Sequence, residues 1–204
     1  MEAPRAISFG MTTKKSSETT PPRALVILAE GAEEMEATIA VDVLRRAEIE
    51  VVLAGLDGAD PVRCSRGMRV VPDTSLAEVG GADFDVIVLP GGKGGAERLA
   101  GSAAVGDLLR AQVAAGRTVA AICAAPIALR THGVFEGSRM TCHPSVNEVV
   151  GGHGRLTAGA VVADGQLITS QGPGTAFLFA LSIVERLKGP DVAEKVRGPM
   201  MLPS

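Results

Sequence analysis

Short, unbroken runs of apolar residues are the sequence feature that most limits the folds open to this chain. They occupy residues 24–29, 86–89 and 118–122, and each is too short to be a typical buried helix. Such runs are typical of strands that are buried on both faces of a parallel sheet. Between the first two of them, residues 33–47 carry apolar side chains at helical spacing. This alternation predicts an α/β sandwich with a mostly parallel sheet.

Weaker patterns predict the remaining elements. Further strands are expected at residues 51–54 and 139–141, and further helices at residues 105–114, 124–129, 175–187 and 191–196. Two hairpins are expected, one from residues 62–64 and 68–71 at the edge of the sheet, the other from residues 161–162 and 167–169. The second hairpin contains Asp164-Gly165, a dipeptide that favours tight turns.

The first 22 residues differ in composition from the rest of the chain. They are polar and rich in Ser, Thr and Pro, so we predict a disordered extension at residues 1–22 and a single domain at residues 23–204. A role in mitochondrial targeting stays open because this segment contains the basic residues Arg5, Lys14 and Lys15. The simpler interpretation is an N-terminal extension or an alternative translation start before Met11.

Composition excludes several classes of function. The net charge of −3 with scattered basic residues, and the absence of Trp and Tyr, argue against a nucleic-acid surface. No apolar run approaches the roughly 20 residues that a membrane helix needs. Three cysteines without paired spacing favour free thiols in a reducing compartment, so we expect a cytoplasmic protein.

Cys123 is the strongest candidate for a reactive group. It directly follows the run at 118–122, and in open α/β sheets sites form at the carboxyl ends of the strands. Small neighbours suit a sharp strand-to-helix turn, and a helix N-terminus would favour the thiolate. Like the nucleophile elbow of α/β-hydrolases, such a turn would hold the nucleophile above the sheet between a strand and a helix, although the G-x-S-x-G pattern is absent. The alternative is a buried structural cysteine.

Glycines after the run at 86–89 could supply oxyanion donors. Gly91 and Gly92 allow close approach of the backbone, and the N–H of Gly92 could act together with that of Ala124. A dinucleotide-binding loop is the competing interpretation. It is disfavoured because Glu97 occupies the last glycine position of G-x-G-x-x-G.

Acidic residues and histidines complete the set of candidates. Among Glu33, Glu34 and Glu36, one carboxyl in apolar surroundings would have a raised pKa, and the others would form a solvated first turn. His143 is a candidate proton shuttle, with His132 and His153 in weaker contexts. A zinc site at Cys142 and His143 lacks the usual ligand spacing, so no metal is predicted.

Several motifs in register resemble one family. They are Gly31-Ala-Glu-Glu-Met-Glu36, Leu89-Pro-Gly-Gly92, Ala120-Ala-Ile-Cys123-Ala, His143-Pro144 and Ser170-Gln-Gly-Pro-Gly-Thr175. On these motifs the chain, from about residue 23 to 202, resembles the DJ-1 (parkinsonism-associated deglycase) family within the ThiJ/PfpI superfamily. The resemblance implies a flavodoxin-like three-layer sandwich and a homodimer.

The resemblance also assigns roles. It implies Cys123 as the oxidisable nucleophile, Glu36 as a protonated carboxyl beside it and His143 as the nearby histidine. Gly92 and Ala124 become the oxyanion donors. Two further residues follow from the resemblance: Cys64 as a secondary, less reactive redox cysteine, and Met35 at the dimer interface.

The implied activity is a cofactor-independent glyoxalase and protein deglycase. It would act on methylglyoxal, glyoxal and their early adducts and protect against oxidative stress in the cytoplasm, the mitochondrion and the nucleus. The alternative is a redox sensor and chaperone in which oxidation of Cys123 alters partner binding. A third hypothesis, an amide hydrolase, requires a carboxylate that orients His143.

Three residues depart from the family pattern. Val71 stands where a cysteine is usual in the vertebrate proteins, which puts thiol chemistry at the dimer interface in doubt. Gln171 stands where an arginine is usual, so anion binding beside the nucleophile is expected to be weaker. Ala125 replaces a glycine and is expected to preserve the turn.

Overall fold

The computed structural model describes residues 20–79 and 81–202 and contains a seven-stranded central sheet. The strands are β1 (Arg23–Leu28), β2 (Glu50–Gly55), β3 (Val62–Arg63), β4 (Arg69–Val70), β5 (Thr74–Ser75), β6 (Val86–Leu89), β7 (Thr118–Ile122), β8 (Arg139–Met140), β9 (Arg155–Leu156), β10 (Val161–Asp164) and β11 (Leu167–Ser170). The helices are α1 (Glu34–Arg46), α2 (Leu76–Val79), α3 (Lys93–Gly101), α4 (Ala103–Ala114), α5 (Pro126–Thr131), α6 (Asn147–Gly151), α7 (Ala176–Lys188) and α8 (Pro190–Arg197). Short 3₁₀ turns lie at Pro144–Val146, Pro173–Thr175 and Gly198–Met200.

The sheet has the strand order β10-β11-β7-β6-β1-β2-β5. β10 and β11 pair antiparallel across the predicted Asp164-Gly165 turn, and the other neighbours pair in parallel. The predicted α/β fold with a mostly parallel, flavodoxin-like sheet is therefore confirmed. The central strands end at one edge of the sheet, where β6 leads into Gly91 and β7 leads into Cys123.

Two apolar cores separate the sheet from its helical layers. Along β1, Ala24, Val26 and Leu28 contribute to the core under α1, α7 and α8. Leu25 and Ile27 contribute to the opposite core, under α3, α4 and α5. Because successive side chains of a strand point to opposite faces, one six-residue run stabilises both layers. This is the three-layer sandwich that the family resemblance implies.

Some elements differ from the sequence-based expectation. Lys93–Gly101, which follows the candidate dinucleotide loop, is the unpredicted helix α3. β3 and β4 form the expected hairpin, but it is a separate two-stranded sheet and does not extend the edge of the main sheet. β8 pairs in parallel with β9, which was not predicted.

The predicted disordered extension, apart from residues 20–22, lies outside the described residues. Within the described part of the chain, no helix has the length and apolar character needed to cross a bilayer.

Candidate active site

Cys123 occupies a strained turn at the end of β7. Its φ of 64° lies in the left-handed region, which costs roughly 1–2 kcal/mol for a residue with a side chain. The turn is fixed by two backbone hydrogen bonds: the Cys123 N–H donates to the Ser170 carbonyl (2.9 Å), and the Cys123 carbonyl accepts from the His143 N–H (2.8 Å). The chain therefore presents this side chain in one direction, and 9% of the residue remains exposed.

Gly91 lies between Cys123 and Glu36. A Cβ at this position would lie 2.6 Å from the Cys123 Cβ and 2.8 Å from the Glu36 Oε2. The N–H of Gly91 donates a 2.7 Å hydrogen bond to Glu36 Oε2. The absence of a side chain is therefore required for the thiol and the carboxyl to approach each other.

Gly92 follows Gly91 and is the N-cap residue of α3. Its φ is 79°, and an added Cβ would lie 2.5 Å from the Gly31 carbonyl oxygen, so both the conformation and the space demand glycine. Its N–H and that of Ala124 both act to lower the pKa of the Cys123 thiol. The two predicted oxyanion donors therefore converge on the sulfur.

Glu36 is a buried carboxyl in the first turn of α1. Glu33 caps this helix, and its side chain accepts a 2.8 Å hydrogen bond from the Glu36 N–H. Glu36 is only 1% exposed, and its Oε1 has no hydrogen-bond partner among the described residues. Burial raises its pKa to about 7, and the charge of Glu33 acts in the same direction. A proton on Oε1 would give this buried oxygen a group that can donate to the sulfur.

The Cys123 thiol does not have the low pKa that its position suggested. Burial raises its pKa to about 12, and the charge of an ionised Glu36 adds to the effect, against the two N–H groups. In addition, α5 begins only at Pro126, so the thiol is not at the first turn of that helix. While Glu36 is ionised, the thiol is therefore expected to keep its proton at neutral pH. Its ionisation requires Glu36 to take up a proton.

His143 lies at the exposed rim of the site. Its Nδ1 accepts a hydrogen bond from the Ser145 N–H (3.2 Å) and lies 2.8 Å from the Ser145 Oγ. An acceptor at Nδ1 places the proton of the neutral ring on Nε2. Among the described residues no carboxylate is hydrogen-bonded to this ring, so the orienting group that the amide-hydrolase hypothesis requires is absent from them.

An open cavity of about 1110 Å³ lies above the thiol. Cys123, Gly92, Ala124 and His143 all line it, whereas Glu36 is buried behind the sulfur. The structure thus brings together all five predicted residues of the main site. The cavity is much larger than a three-carbon aldehyde needs, since pockets of 300–1,000 Å³ usually hold drug-sized ligands.

Comparison with known proteins identifies the family. The sequence profile of the DJ-1/PfpI family matches residues 22–186. The chain belongs to the DJ-1/PfpI family. Protein dj-1beta of Drosophila melanogaster is 53% identical over 174 residues, covering 85% of this chain and 93% of that protein. The protein named glutathione-independent glyoxalase DJR-1.2 of Caenorhabditis elegans is 43% identical over 182 residues, covering 88% and 96%.

Solved structures of DJ-1 proteins share the fold. The crystal structure of Drosophila melanogaster DJ-1beta superposes with a TM-score of 0.89 at 49% identity, covering 91% of this chain and all of that chain. The structure described as Toxoplasma gondii DJ-1, oxidized, gives 0.85 at 35% identity, covering 90% and 100%. The resemblance inferred from the motifs is therefore confirmed.

The other two cysteines of this DJ-1/PfpI protein do not line the cavity above Cys123, although Cys64 lines a smaller cavity that adjoins it. Burial raises the pKa of both Cys64 and Cys142 to about 11. The Cys142 thiol donates to the Asn147 Oδ1 (3.3 Å), and it belongs to the opposite core from Cys123. A redox role for Cys64 stays a prediction that its burial does not favour. Among the described residues no cluster of potential ligands could hold a metal ion.

Sequence reasoning missed the role of Glu34. It is 7% exposed and accepts hydrogen bonds from the Ser65 Oγ (2.8 Å) and the Arg66 N–H (2.9 Å). Burial acts to raise the pKa of Glu34, but the hydrogen bonds outweigh burial and lower it. Glu34 thereby fixes the loop that carries Ser65 and Arg66 into the cavity wall. The two partners are 31 and 32 residues away in sequence, so no local pattern indicates this contact.

Proposed function

We propose that this protein is a cofactor-independent glyoxalase that converts methylglyoxal and glyoxal to the corresponding hydroxy acids. The observation that carries the proposal is the set of Cys123, Glu36 and the Gly91–Gly92 backbone, held together at the floor of an open cavity. The name of the Caenorhabditis elegans relative supports it.

The first step joins the Cys123 sulfur to the aldehyde carbon of the substrate. As the S–C bond forms, the thiol proton passes to Glu36, whose pKa of about 7 suits both uptake and release of a proton near neutral pH. Negative charge develops on the aldehyde oxygen, where the Gly92 and Ala124 N–H groups can stabilise it. Glu36 then returns the proton to this oxygen, which gives a neutral hemithioacetal as the product of the step.

The second step moves a hydrogen between the two carbons of the substrate. A base removes the C–H proton of the hemithioacetal, and a proton is returned to the neighbouring carbon, which yields a thioester on Cys123. Glu36 and His143 are the groups available for these transfers. Water then hydrolyses the thioester, which releases lactate or glycolate and restores the thiol without net oxidation or reduction.

Replacement of Cys123 by Ser tests this proposal. A hydroxyl is far harder to ionise than a thiol, so we expect lactate formation from methylglyoxal to become undetectable. Cys142→Ser is the matched control, because that thiol is buried outside the cavity, and it should retain activity. Undiminished turnover by the Cys123 variant, measured as lactate by chromatography, would contradict the proposal.

The size of the cavity supports a wider range of substrates. We infer that early aldehyde adducts on proteins also enter it, which would make the protein a deglycase with a protective role in oxidative stress. This part of the proposal includes action in the cytoplasm, the mitochondrion and the nucleus. A deglycase should release amine from a preformed adduct faster than a pure scavenger of free aldehyde can, and stopped-flow measurement separates the two.

Exposed apolar side chains support a homodimer. Met35, Met68 and Val71 are 51%, 47% and 65% exposed, and burying them against a second copy would remove apolar surface from water. Sedimentation equilibrium measures the state directly. A monomer at micromolar concentration would contradict this part of the proposal.

A redox sensor is the second candidate function. The Toxoplasma gondii relative is described as oxidized in its solved structure, which supports susceptibility to oxidation within the family. The raised pKa of Cys123 argues for slow oxidation in this chain, because the thiolate is the oxidisable form. Mass spectrometry after mild peroxide treatment should show oxidation at Cys123 ahead of Cys64 and Cys142 if the sensor hypothesis holds.

A further inference from the structure

A second cavity adjoins the cavity above Cys123 and is rich in positive charge. Its volume is about 520 Å³, and Arg63, Arg66 and Arg98 all line it. Glu30 is the acidic residue of its lining, and the Glu30 Oε2 accepts a hydrogen bond from the Arg63 N–H (3.1 Å). The lining therefore has an excess of positive charge, in a chain whose net charge is −3.

The positive charges of these guanidinium groups are hardly neutralised by acidic side chains of the protein. Arg98 lies 3.7 Å from Asp57, and both side chains are more than half exposed, so this pair contributes little. Within residues 20–79 and 81–202, no ion pair involves Arg63 or Arg66. An external anion could therefore bind them without breaking an existing pair.

The loop that carries two of these arginines is held in place. Glu34 accepts hydrogen bonds from the Ser65 Oγ and the Arg66 N–H, and the Ser65 N–H donates to the Ala32 carbonyl (2.8 Å). The Arg63 carbonyl accepts from the Gly31 N–H (2.9 Å). Because this backbone is already fixed, binding of a ligand does not have to order the loop.

The two cavities share part of their walls. Gly31, Ser65, Arg66 and Gly94 line both of them. A ligand that places an aldehyde carbon at Cys123 can therefore extend past Arg66 toward Arg63 and Arg98.

We propose that Arg63, Arg66 and Arg98, together called the arginine pocket, form a subsite for an oxyanion group carried by the aldehyde adduct on which Cys123 acts. Guanidinium groups bind phosphate, sulfonate and carboxylate oxygens through paired, charge-assisted hydrogen bonds. This inference rests on the proposed function, because it assigns the far end of that substrate. The protein would then prefer anionic adducts to neutral ones of the same size.

Two hemithioacetals of methylglyoxal test the preference. The adduct with 2-mercaptoethanesulfonate carries a sulfonate, and the adduct with 2-mercaptoethanol is a neutral molecule with the same two-carbon thiol arm. In both, Cys123 replaces the arm on the aldehyde carbon: the new S–C bond forms, the S–C bond to the arm breaks, and the arm leaves as a free thiol that takes the proton of Cys123. We expect kcat/KM to be about 10-fold higher for the sulfonate at low ionic strength, and the preference to decrease as salt is added. Positive charges elsewhere on the protein could also favour the sulfonate adduct, so a control variant is needed.

Two triple variants each remove three positive charges, one from the arginine pocket and the other from elsewhere on the surface. The triple change Arg63→Gln, Arg66→Gln and Arg98→Gln should reduce the sulfonate preference to about 1-fold. The control triple change Arg46→Gln, Arg110→Gln and Arg186→Gln also removes three exposed arginines, from positions that line neither cavity, and should leave the preference intact. Thermal melting establishes that both variants are folded.

The results separate failure of the subsite from failure of the proposed function. Equal kcat/KM for the two adducts in the wild-type protein, or a preference that survives the first triple change, would overturn the arginine pocket and leave the glyoxalase standing. If neither adduct nor free methylglyoxal is turned over, the glyoxalase fails, and calorimetric titration with inorganic pyrophosphate tests the pocket alone. Binding that the first triple change abolishes then supports an anion site, and absence of binding overturns it.

Discussion

Glu34 and Glu36 lie two positions apart in the first turn of α1, and both are buried, yet their pKa values shift in opposite directions. Glu34 accepts hydrogen bonds from Ser65 and Arg66, and its pKa is lowered. Glu36 accepts one from Gly91 and has a second oxygen without a partner, and its pKa is raised to about 7. Glu36 lies deeper in the protein than Glu34 and faces fewer backbone donors, so the depth of burial and the number of donors together determine the charge of each carboxyl. One of these residues is suited to hold a loop and the other to transfer a proton.

The largest expected effect comes from removing the proton-transfer group of this pair. Glu36→Gln keeps an acceptor for the Gly91 N–H but cannot take the thiol proton, so kcat/KM for methylglyoxal should fall by about 10²–10⁴-fold. In the wild-type protein kcat/KM should rise with pH through about 7, as the thiol–carboxyl pair loses its first proton. The variant should lack this inflection, and an unchanged pH profile would contradict the assignment.

The pH dependence of stability should differ between wild-type protein and the same variant. A carboxyl whose pKa is raised from 4.5 to about 7 on folding contributes stability that is fully present below pH 4.5 and is lost as pH rises through 7. The loss amounts to about 3 kcal/mol between pH 4 and 7.5, which is below the pKa of about 8.5 at which free cysteines titrate. Urea unfolding of Glu36→Gln should therefore show a flatter pH dependence, and parallel curves would exclude the raised pKa.

Glu34→Gln should produce the opposite pattern. The amide leaves one of the donors at Ser65 or Arg66 without an acceptor, so the free energy of unfolding should fall by about 1–3 kcal/mol. Turnover of methylglyoxal should change by less than about 5-fold, since Glu34 does not contact the sulfur or its donors in this structure. A loss of activity as large as that of Glu36→Gln, without loss of stability, would remove the distinction between the two carboxyls.

Glu33→Gln should give the smallest effect. The charge of Glu33 acts to raise the pKa of Glu36, and an amide at this position still caps α1 through its oxygen. The inflection in the pH profile should move to lower pH by less than about half a pH unit, because Glu33 is partly exposed to solvent. A shift to higher pH would contradict the proposed electrostatic effect.

The elements that were predicted well are those with a strong local pattern. The runs that form β1, β6 and β7 were placed within one residue, because each is mostly apolar and is followed by glycine, proline or the cysteine turn. Helix α3 was missed because its glycines suggest a loop. The structure shows why they are there: a Cβ on Gly95 would lie 2.7 Å from the Cα of Ala32, so the helix packs directly on the turn that precedes α1.

The sequence predicted which residues would lie close together around Cys123, but it did not predict the electrostatics of the group. Glu36, Cys123 and the Gly92 donor follow from motifs at the ends of adjacent strands, and the fold brings them together. The raised pKa of Cys123 does not follow from the sequence, because it depends on burial and on the charge of Glu36, and no local sequence pattern indicates either. Arg66 was not recognised at all, since its place in the cavity wall depends on a contact with Glu34 on another element.

The left-handed backbone at Cys123 has a consequence for how the protein could change over time. Glycine adopts this conformation without strain, so we expect Cys123→Gly to leave the fold intact and to relieve part of the local cost. Folding alone therefore gives no reason to keep a thiol at this turn. A lineage that no longer needed the chemistry could lose the thiol through a single substitution to glycine. Gly91 and Gly92 would have to be retained, because the fold itself requires them.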